Sequence, residues 1–444
     1  MKLVLLISPT ARERAQLPGP AADLGLDILY EDFDGDYFDH FLGRNPDFGR
    51  PQIDLLRLTE RTAAKYRTVR LAGVTSAVGY PGMSAASLVA RELGLPGPPV
   101  EAVMLCDHKY YSRLHQREHV PDATPDFHLI DPHDPTTMRD LLPFPSFLKP
   151  VKSCMSRNAF KVPSEQELRR LVKTEMPPKR FVEPFNQMLR AYTGFSRDAS
   201  GLLQETLLRG AQVSLEGFVF EGHVSVLGII DAIMFPGTLA FKRFQYPSRL
   251  PGEVQERMIA IATRFFSGIA YNNAMFNMEL FYDAVTDSIA IIEVNPKIAS
   301  QFPGLFEKVD AYSTYRTLLE VATGQRPSTL HRKGRHRLAA SCVLRTFEDQ
   351  SVLATPSAAE IVSVGERFPG TRVQVCAAAG RSLSDEVQDS CSFRYGLIEL
   401  GASDEGELEC KFEQCRSMLT FHFQPRGCTP SGGALATSQC ASVS

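Results

Sequence analysis

The chain has 444 residues, of which 48 are basic and 51 are acidic, and its net charge of −3 predicts no nucleic-acid partner. Its length allows about two to four domains with sizeable cores, and 43% hydrophobic residues are ordinary for a soluble globular protein. The sequence contains no run of about eighteen apolar residues, so it predicts no membrane span. Nine scattered cysteines without a C-x-x-C spacing predict neither a zinc site nor a disulfide framework, so we expect a cytoplasmic protein with mostly reduced thiols.

The first part of the chain alternates predicted strands with a predicted helix. Residues 3–7 form a continuous apolar run, which is typical of a buried parallel strand. Residues 27–30 and 68–75 are further predicted strands, and residues 82–93 have the apolar spacing of an amphipathic helix. This alternation predicts a small parallel α/β domain over residues 1–106.

Two lysines lie in the next predicted elements. After a predicted turn or short strand, residues 107–118 form a predicted helix with Lys109 in its first turn. Residues 147–150 form a predicted strand that contains Lys149, and residues 151–159 form an exposed loop without glycine. On position alone, Lys109 is better explained as a solvated surface lysine.

Helical and strand patterns alternate through the centre of the chain. Ser164 opens a capping box for a helix that ends near residue 173, and residues 175–200 form a predicted helical insertion. The further predicted elements are strands at 212–220 and 223–233, a turn at 241–247, and helices at 253–270 and 310–322.

Two strands at residues 276–282 and 288–294 are predicted to pair across a short polar turn. Because side chains alternate along a strand, Glu279, Glu293 and Asn295 should converge on one polar face. The residues predicted to form the apolar faces are Phe276, Met278, Leu280 and Tyr282 in the first strand and Ala290, Ile292 and Val294 in the second. Two carboxylates and one amide oxygen suit a hard ion such as Mg²⁺, whereas the alternative is a pair of edge-strand acids that face water.

The pattern changes near residue 334. Strands are predicted at 338–344, 371–376 and 397–400, followed by a helix at 403–419. These elements predict an α+β domain over residues 336–423. The last residues, 424–444, are small and polar and are predicted to be disordered.

The ordered set of Glu279, Glu293 and Asn295, with Pro296 next, resembles the metal-binding end of the ATP-grasp superfamily. The segment at 94–127 resembles the start of the ATP-grasp domain in biotin carboxylase-like and amino-acid ligase-like members, in which a phosphate-binding lysine lies in a D-K-x-x-x-R-like helix. The resemblance implies an ATP-grasp fold of α/β and α+β parts. Its expected divisions are an N-terminal parallel α/β domain at 1–106, an ATP-grasp domain at 107–335 with a central lid at about 120–212, and a C-terminal α+β cap at 336–423.

The same resemblance implies the site residues that contact a nucleotide. Lys109 and Lys149 match the two family lysines that bind phosphate, and the loop after Lys149 matches the phosphate-covering loop, where Ser156 and Arg157 are the expected donors. The family loop is usually rich in glycine, and this one has none.

The adenine side of the implied site falls on the next strands. Glu205 and the backbone through Leu208 match the family's adenine hinge. Gln212 stands where an acid commonly holds the ribose hydroxyls, and Glu216 matches the acid of the following strand. Taken singly, Glu205 and Glu216 are equally well explained as ordinary strand acids in contact with water.

The metal and catalytic positions complete the implied site. Glu279, Glu293 and Asn295 are the expected ligands of Mg²⁺ or Mn²⁺. Lys297 stands where most members carry an arginine and is, with Arg157, the expected catalytic cation. Arginine offers a bidentate fork and lysine a point charge, so this departure should affect the chemistry most.

The resemblance implies an ATP-dependent carboxylate–amine ligase that makes an amide bond through an acyl phosphate and releases ADP. The expected partners are ATP, a small carboxylate and an amine, without nucleic acid or membrane, and a homodimer is compatible with this assignment. Two alternatives stay open. One is a biotin carboxylase-like enzyme that phosphorylates bicarbonate, although the chain has no A-M-K-M motif; the other is a silent ATP-binding protein.

Overall fold

The computed structural model describes residues 2–32, 54–154, 157–174, 176–177, 179–385 and 392–425. Its N-terminal part is a three-stranded parallel sheet of order β2-β1-β3, as the sequence predicts. The strands are β1 (Lys2–Ile7), β2 (Leu26–Glu31) and β3 (Leu71–Thr75), and the helices are α1 (Ala11–Gln16), α2 (Pro18–Asp23), α3 (Leu55–Tyr66), α4 (Gly82–Glu92) and α5 (Val100–Asp107).

Helix α5 occupies a segment for which the sequence predicted a turn or short strand. Five of its eight residues are buried, so the helix lacks the polar face that would reveal it as amphipathic. The buried side chains are Val100, Ala102, Val103, Met104 and Cys106. Predictions from polar and apolar periodicity therefore miss it.

A second, four-stranded antiparallel sheet of order β4-β7-β5-β6 forms the region predicted as a lid. A small apolar core of its own, which includes Leu148, Val162 and Leu168, holds this sheet together with its helices. The elements of this part are α6 (Lys109–His119), β4 (Phe127–Ile130), β5 (Ser146–Pro150), β6 (Phe160–Val162), α7 (Glu165–Thr174), α8 (Lys179–Tyr192) and β7 (Leu202–Thr206).

An eight-stranded antiparallel sheet of order β12-β11-β8-β9-β10-β13-β16-β15 runs through the rest of the described chain. It crosses the predicted domain boundary at residue 335, because β10 pairs with β13. The remaining elements are β8 (Ala211–Phe220), β9 (His223–Met234), β10 (Phe241–Tyr246), α9 (Gly252–Ser267), β11 (Ala274–Asp283), β12 (Ser288–Asn295), α10 (Pro303–Asp310), α11 (Thr314–Ala322), β13 (Leu338–Thr346), β14 (Gln350–Ala354), α12 (Ala358–Arg367), β15 (Arg372–Val375), β16 (Phe393–Ala402), α13 (Glu405–Ser417) and β17 (His422–Pro425).

Three predictions in this region are corrected. The predicted turn at 241–247 is strand β10, which buries Arg243 and Gln245 on one face and so did not show an apolar strand pattern. The predicted helix at 310–322 begins only at Thr314, as α11, because the preceding helix α10 ends at Asp310 and Ala311 adopts a left-handed conformation with φ 60°. Strand β17 includes Gln424 and Pro425, which the sequence assigned to a disordered tail. The rest of that predicted tail lies outside the described residues.

No helix in the described ranges has both the length and the apolar composition that a membrane crossing needs. Among the cysteines, Cys106, Cys342 and Cys415 are buried and pack as small apolar residues, as expected.

Candidate functional site

The site is built on the paired strands β11 and β12. Glu279 lies directly opposite Glu293, and Asn277 lies opposite Asn295, so the two predicted carboxylates are cross-strand neighbours. The predicted apolar face of β11 is confirmed for Phe276, Met278 and Leu280, which are all buried.

The predicted apolar face of β12 is confirmed for Val294 and wrong for Ala290 and Ile292. Glu279 pairs with Glu293, but the next residue of β11, Leu280, pairs with Ile291, so Ile292 is an extra residue that forms a β-bulge. The bulge shifts the alternation, and the residues that enter the core are Ile289, Ile291 and Val294. Sequence periodicity cannot reveal such a shift, because it assumes an unbroken alternation of side chains.

The extra residue of the bulge, Ile292, provides a backbone acceptor at the site. The Ile292 carbonyl accepts hydrogen bonds from Arg113 Nη2 at 2.8 Å and from Lys149 Nζ at 3.1 Å. Strand β12 is the edge strand of its sheet, so it has carbonyl groups that are not paired with β11. Here the Ile292 carbonyl fixes two cations from helix α6 and strand β5 against the acidic hairpin.

A buried charge cluster joins three elements beside this carbonyl. Arg113 Nε donates to Glu205 Oε1 at 2.7 Å, and Lys149 Nζ lies 2.8 Å from Glu205 Oε2. The side chains of Arg113 and Glu205 are only 2% and 3% exposed. Burial alone would raise the pKa of Glu205, but Arg113 and then Lys149 hold that pKa below its usual value. The carboxylate is therefore ionised in the folded protein.

The sequence analysis did not single out Arg113. The signal was present, since Arg113 occupies the arginine position of the D-K-x-x-x-R-like helix that pointed to Lys109. Only the structure shows its partner, because Glu205 lies 92 residues further along the chain. Both oxygens of Glu205 already have cationic partners, and a direct contact between this side chain and an adenine stays a prediction.

Lys109 lies next to the acidic hairpin. Its Nζ is 3.3 Å from Glu293 Oε2 and 3.4 Å from the Ser153 carbonyl oxygen. Burial would raise the pKa of Glu293, but Lys109 and Lys149 lower this pKa to about 2. Burial, together with the facing Glu293 carboxylate, raises the pKa of Glu279 to about 7. The pKa values of these two neighbouring acids are thus shifted in opposite directions.

The side-chain oxygens of Glu279, Glu293 and Asn295 are chemically suited to bind a divalent cation. Two facing carboxylates repel each other, and a cation between them would offset this repulsion, which adds to the effect of burial in raising the pKa of Glu279. In the ranges that the structure describes, no three His, Cys, Asp or Glu side chains form a metal cluster. A set of two carboxylates and the Asn295 amide is typical of Mg²⁺, which takes its remaining oxygens from water and phosphate.

Gln212 and Glu216 occupy the neighbouring strand β8. Gln212 Nε2 donates to Glu279 Oε2 at 3.3 Å, so it orients a carboxylate of the hairpin. Glu216 is fully buried, and its oxygens accept from Asn277 Nδ2 at 2.9 Å and from the Ala299 backbone N at 3.1 Å. Burial raises the pKa of Glu216 to about 8. Glu216 therefore holds the loop after β12, and its predicted contact with a nucleotide stays a prediction.

That loop carries Lys297. A Cβ at Gly79 would lie 3.2 Å from Cδ of Lys297, so the stem of this lysine packs on the N-terminal domain. Lys297 Nζ donates to the Ile298 carbonyl at 3.5 Å, which is a weak bond. The ammonium group thus lies where the N-terminal domain meets the acidic hairpin, as a catalytic cation would require.

The remaining predicted residues lie around the lid. Leu208 lies between β7 and β8 and is partly exposed. Arg157 follows β5 in the phosphate-loop segment, and Asn158 beside it has a left-handed backbone with φ 55°, as its residue type allows. Ser156 lies outside the described residues. The roles of these residues stay predictions.

Lys152 was not predicted as a site residue, and it points away from the hairpin. Its Nζ lies 2.8 Å from Asp107 Oδ1 and 4.8 Å from the ring centroids of Tyr80 and Phe185. Asp107 also accepts from Ser84 Oγ at 3.4 Å. The beginning of the glycine-free loop is therefore anchored to helices α4, α5 and α8 by a buried ion pair between two aromatic rings.

His108 is the buried residue that directly precedes Lys109 and caps the start of helix α6. Its Nδ1 accepts from the Tyr111 backbone N at 3.3 Å, and its Nε2 lies 3.2 Å from the Asp198 carbonyl oxygen. Since a carbonyl only accepts, Nε2 carries the proton and the ring is neutral. Burial lowers the pKa of His108 to about 4.

Comparisons with solved structures give close matches in shape. An L-amino acid ligase from Bacillus licheniformis has a TM-score of 0.70 at 17% identity and covers 96% of this chain and 99% of its own. A carboxyaminoimidazole ribonucleotide synthase from Aspergillus clavatus, complexed with ATP, has a TM-score of 0.65 at 13% identity, with 94% and 98% covered. The biotin carboxylase domain dimer of a Hydrogenobacter thermophilus 2-oxoglutarate carboxylase, in complex with MgADP and bicarbonate, has a TM-score of 0.63 at 15% identity, with 95% and 90% covered.

The sequence itself matches no protein-family model, and a search of curated protein sequences gives no match either. At such low identity the structural likeness shows the fold alone. The chemistry has to be argued from the side chains of this chain.

Proposed function

The protein has the ATP-grasp fold that its motifs predicted, and from this premise we propose that it is an ATP-dependent carboxylate–amine ligase. The observation that carries the proposal is the meeting of Lys109 and Lys149 with the facing pair Glu279 and Glu293. A site that transfers a phosphoryl group needs cations for the phosphate oxygens and carboxylates for a metal.

Each side chain of the cluster has a task in this reaction. Lys109 and Lys149 neutralise phosphate oxygens of ATP, and Glu279, Glu293 and Asn295 are the residues that would hold Mg²⁺. When bound, this ion would neutralise charge on the distal phosphates. Arg113 and Glu205 hold Lys149 beside the hairpin, and Gln212 orients Glu279.

The reaction has two steps. A substrate carboxylate attacks the terminal phosphorus of ATP, the bond to ADP breaks, and an acyl phosphate forms. An amine then attacks the acyl carbon, the C–O bond to phosphate breaks, and the nitrogen loses a proton as the amide forms. Lys297 lies beside the hairpin at the N-terminal domain, where its charge stabilises the oxygens that gain negative charge in both steps.

The test is a screen of ADP release in the presence of ATP and Mg²⁺. Pools of small carboxylic acids, including amino acids, are combined with pools of amines, and each pool is also tested alone. The proposal predicts ADP release above background only when a suitable acid and amine are present together, and an amide product by mass spectrometry. Bicarbonate with biotin should not replace them.

Two other outcomes are distinguished by the same screen. ADP release with bicarbonate and biotin alone would support a biotin carboxylase-like reaction instead. ATP binding without ADP release in any pool would support a silent nucleotide-binding protein.

A pair of substitutions at Lys297 tests its role in the chemistry. Lys297→Ala should lower turnover more than ATP affinity, because the charge is needed as the phosphoryl and acyl oxygens change charge. Lys297→Arg should retain part of the activity, since it keeps the charge. Equal turnover in the alanine variant and the parent would remove Lys297 from the mechanism.

A further inference from the structure

A cavity of about 210 Å³ lies in the C-terminal domain, outside the proposed active site. It is half open to solvent and is lined by the end of α12, the following loop, the last part of β16, helix α13 and the segment before β13. Four of its lining residues carry basic side chains, and none of its lining residues is acidic. We call this cavity the basic pocket; its basic residues are Arg335, His336, Arg367 and Lys411.

Most of the positive charge of the basic pocket is not neutralised by the protein. Lys411 pairs with Glu407 at 2.6 Å and donates to the Gly401 carbonyl at 3.2 Å, so its charge is matched. Among the described residues, Arg367 donates to the neutral Gln414 Oε1 at 3.3 Å and lies over the Phe368 ring, and it has no carboxylate partner. Arg335 makes no hydrogen bond or ion pair within the described part of the chain. Two guanidinium groups therefore remain without a carboxylate.

The end of helix α12 and the pKa of His336 both bear on the net charge of the basic pocket. Arg367 is the last residue of α12, where the helix dipole supplies a partial negative charge of about one half. This is smaller than the charge of the two unmatched arginines, so the pocket stays positive. Burial and then the positive charge of Lys411 and Lys308 lower the pKa of His336, which agrees with a positive environment.

The shape of the basic pocket limits what can bind. Its volume of about 210 Å³ is below the roughly 300–1,000 Å³ of sites for drug-sized ligands. Guanidinium forks match the oxygens of phosphate and carboxylate groups in pairs. We infer that the basic pocket binds a small anion that carries phosphate or carboxylate groups, at a site separate from the one that would bind ATP. This inference does not depend on the proposed ligase activity.

The experiment is isothermal titration calorimetry of the full chain with inorganic phosphate, pyrophosphate and citrate, in a buffer without other multivalent anions. The pocket variant is the double substitution Arg335→Gln with Arg367→Gln; both side chains are exposed and neither has an ion partner, so the fold should be kept. The matched control is Arg61→Gln with Arg70→Gln, two exposed arginines of the N-terminal domain. Thermal unfolding checks that all variants are folded.

At least one of the three anions should bind the parent, and the pocket variant should bind it at least about tenfold more weakly, which is ~1.4 kcal/mol. The control should bind it like the parent, and Lys149→Met, which alters the proposed nucleotide site, reports any anion that binds at that site instead. Raising the salt from about 50 to about 500 mM should weaken binding, because exposed charges are screened. A preference for phosphate and pyrophosphate identifies a phosphorylated ligand, and a preference for citrate a polycarboxylate.

The inference is overturned if no anion binds the parent at concentrations up to about 10 mM, which is about ten times a millimolar dissociation constant. Equal binding by the pocket variant and the parent would also overturn it. Loss of binding in Lys149→Met alone would place the anion in the nucleotide site instead.

Discussion

Lys149 and Lys152 lie three residues apart, are both buried, and each has a carboxylate 2.8 Å away. Their surroundings differ completely. Lys149 pairs with Glu205 and donates to the Ile292 carbonyl of the acidic hairpin. Lys152 instead pairs with Asp107 in the N-terminal part. Burial lowers the pKa of both lysines, so neither residue type, burial nor pKa direction separates them.

The difference lies in how each carboxylate is shared. Glu205 has a second cation, Arg113, that would stay if Lys149 were removed. Asp107 has only the Ser84 hydroxyl at 3.4 Å as a further side-chain partner among the contacts described here. We therefore expect Lys149 to matter most for the ligand and Lys152 to matter most for the stability of the loop's anchor.

The largest effect is expected on the acidic hairpin, which Lys149 faces and Lys152 does not. Glu293→Gln keeps the shape of the side chain but removes the negative charge proposed to hold Mg²⁺, so Mg²⁺-dependent ADP release should fall below detection while the fold is kept. The measurement is ADP release with the acid and amine found in the screen. Glu118→Gln, at a side chain that is 77% exposed, is the matched control. Near-parental turnover in Glu293→Gln would contradict the metal assignment.

Lys152→Met tests the other side of the comparison. It leaves Asp107 as a buried carboxylate without a cation, and the free energy of unfolding should fall by about 3–5 kcal/mol. Urea denaturation measures this loss, with Lys173→Met at an exposed position as the control. A loss no larger than that of the control would mean that the ion pair does not anchor the loop.

His108, the buried residue before Lys109, should make the stability of the protein depend on pH. Its folded pKa of about 4 lies below the ordinary 6.5, so between these values the unfolded chain binds a proton that the folded chain does not. Stability is therefore fully present above pH 6.5 and falls as the pH drops to 4, by about 3 kcal/mol in total.

The matched variant for this prediction is His108→Asn, whose oxygen can still accept from the Tyr111 backbone N. Urea denaturation of the parent and the variant at several pH values isolates the histidine, because other titrating groups are common to both. The same pH dependence in both proteins would show that His108 is not responsible.

The smallest effect sharpens the comparison directly. Lys149→Met and Lys109→Met should each weaken ATP binding or turnover at least about tenfold, which is ~1.4 kcal/mol. Lys152→Met, measured at a temperature where it is folded, should bind ATP close to the parental value. Lys149→Met should also cost less stability than Lys152→Met, because Arg113 still compensates Glu205. Reversed results for the two lysines would show that the loop residue, not the strand residue, meets the nucleotide.

The sequence by itself determined the features that depend on neighbours along the chain. Alternation along β11 predicted that Glu279 lies on one face of the strand and that Phe276, Met278 and Leu280 lie on the other. The apolar run of β1 predicted a buried parallel strand. The order of the two lysines and the acid–acid–amide set predicted the fold, which the structure confirms. These inferences need only local side-chain periodicity and a motif in fixed order.

Tertiary structure decided the features that depend on distant partners. The bulge at Ile292 changed which side chains of β12 enter the core, and the carbonyl of this residue accepts from both Arg113 and Lys149. Arg113 and Glu205 are 92 residues apart in the chain. A bulge breaks the period-two pattern on which strand predictions rest, and an ion pair depends on distance in space and on exclusion of water. Neither quantity is written in the order of residues, so only the folded chain could show which lysine faces the site.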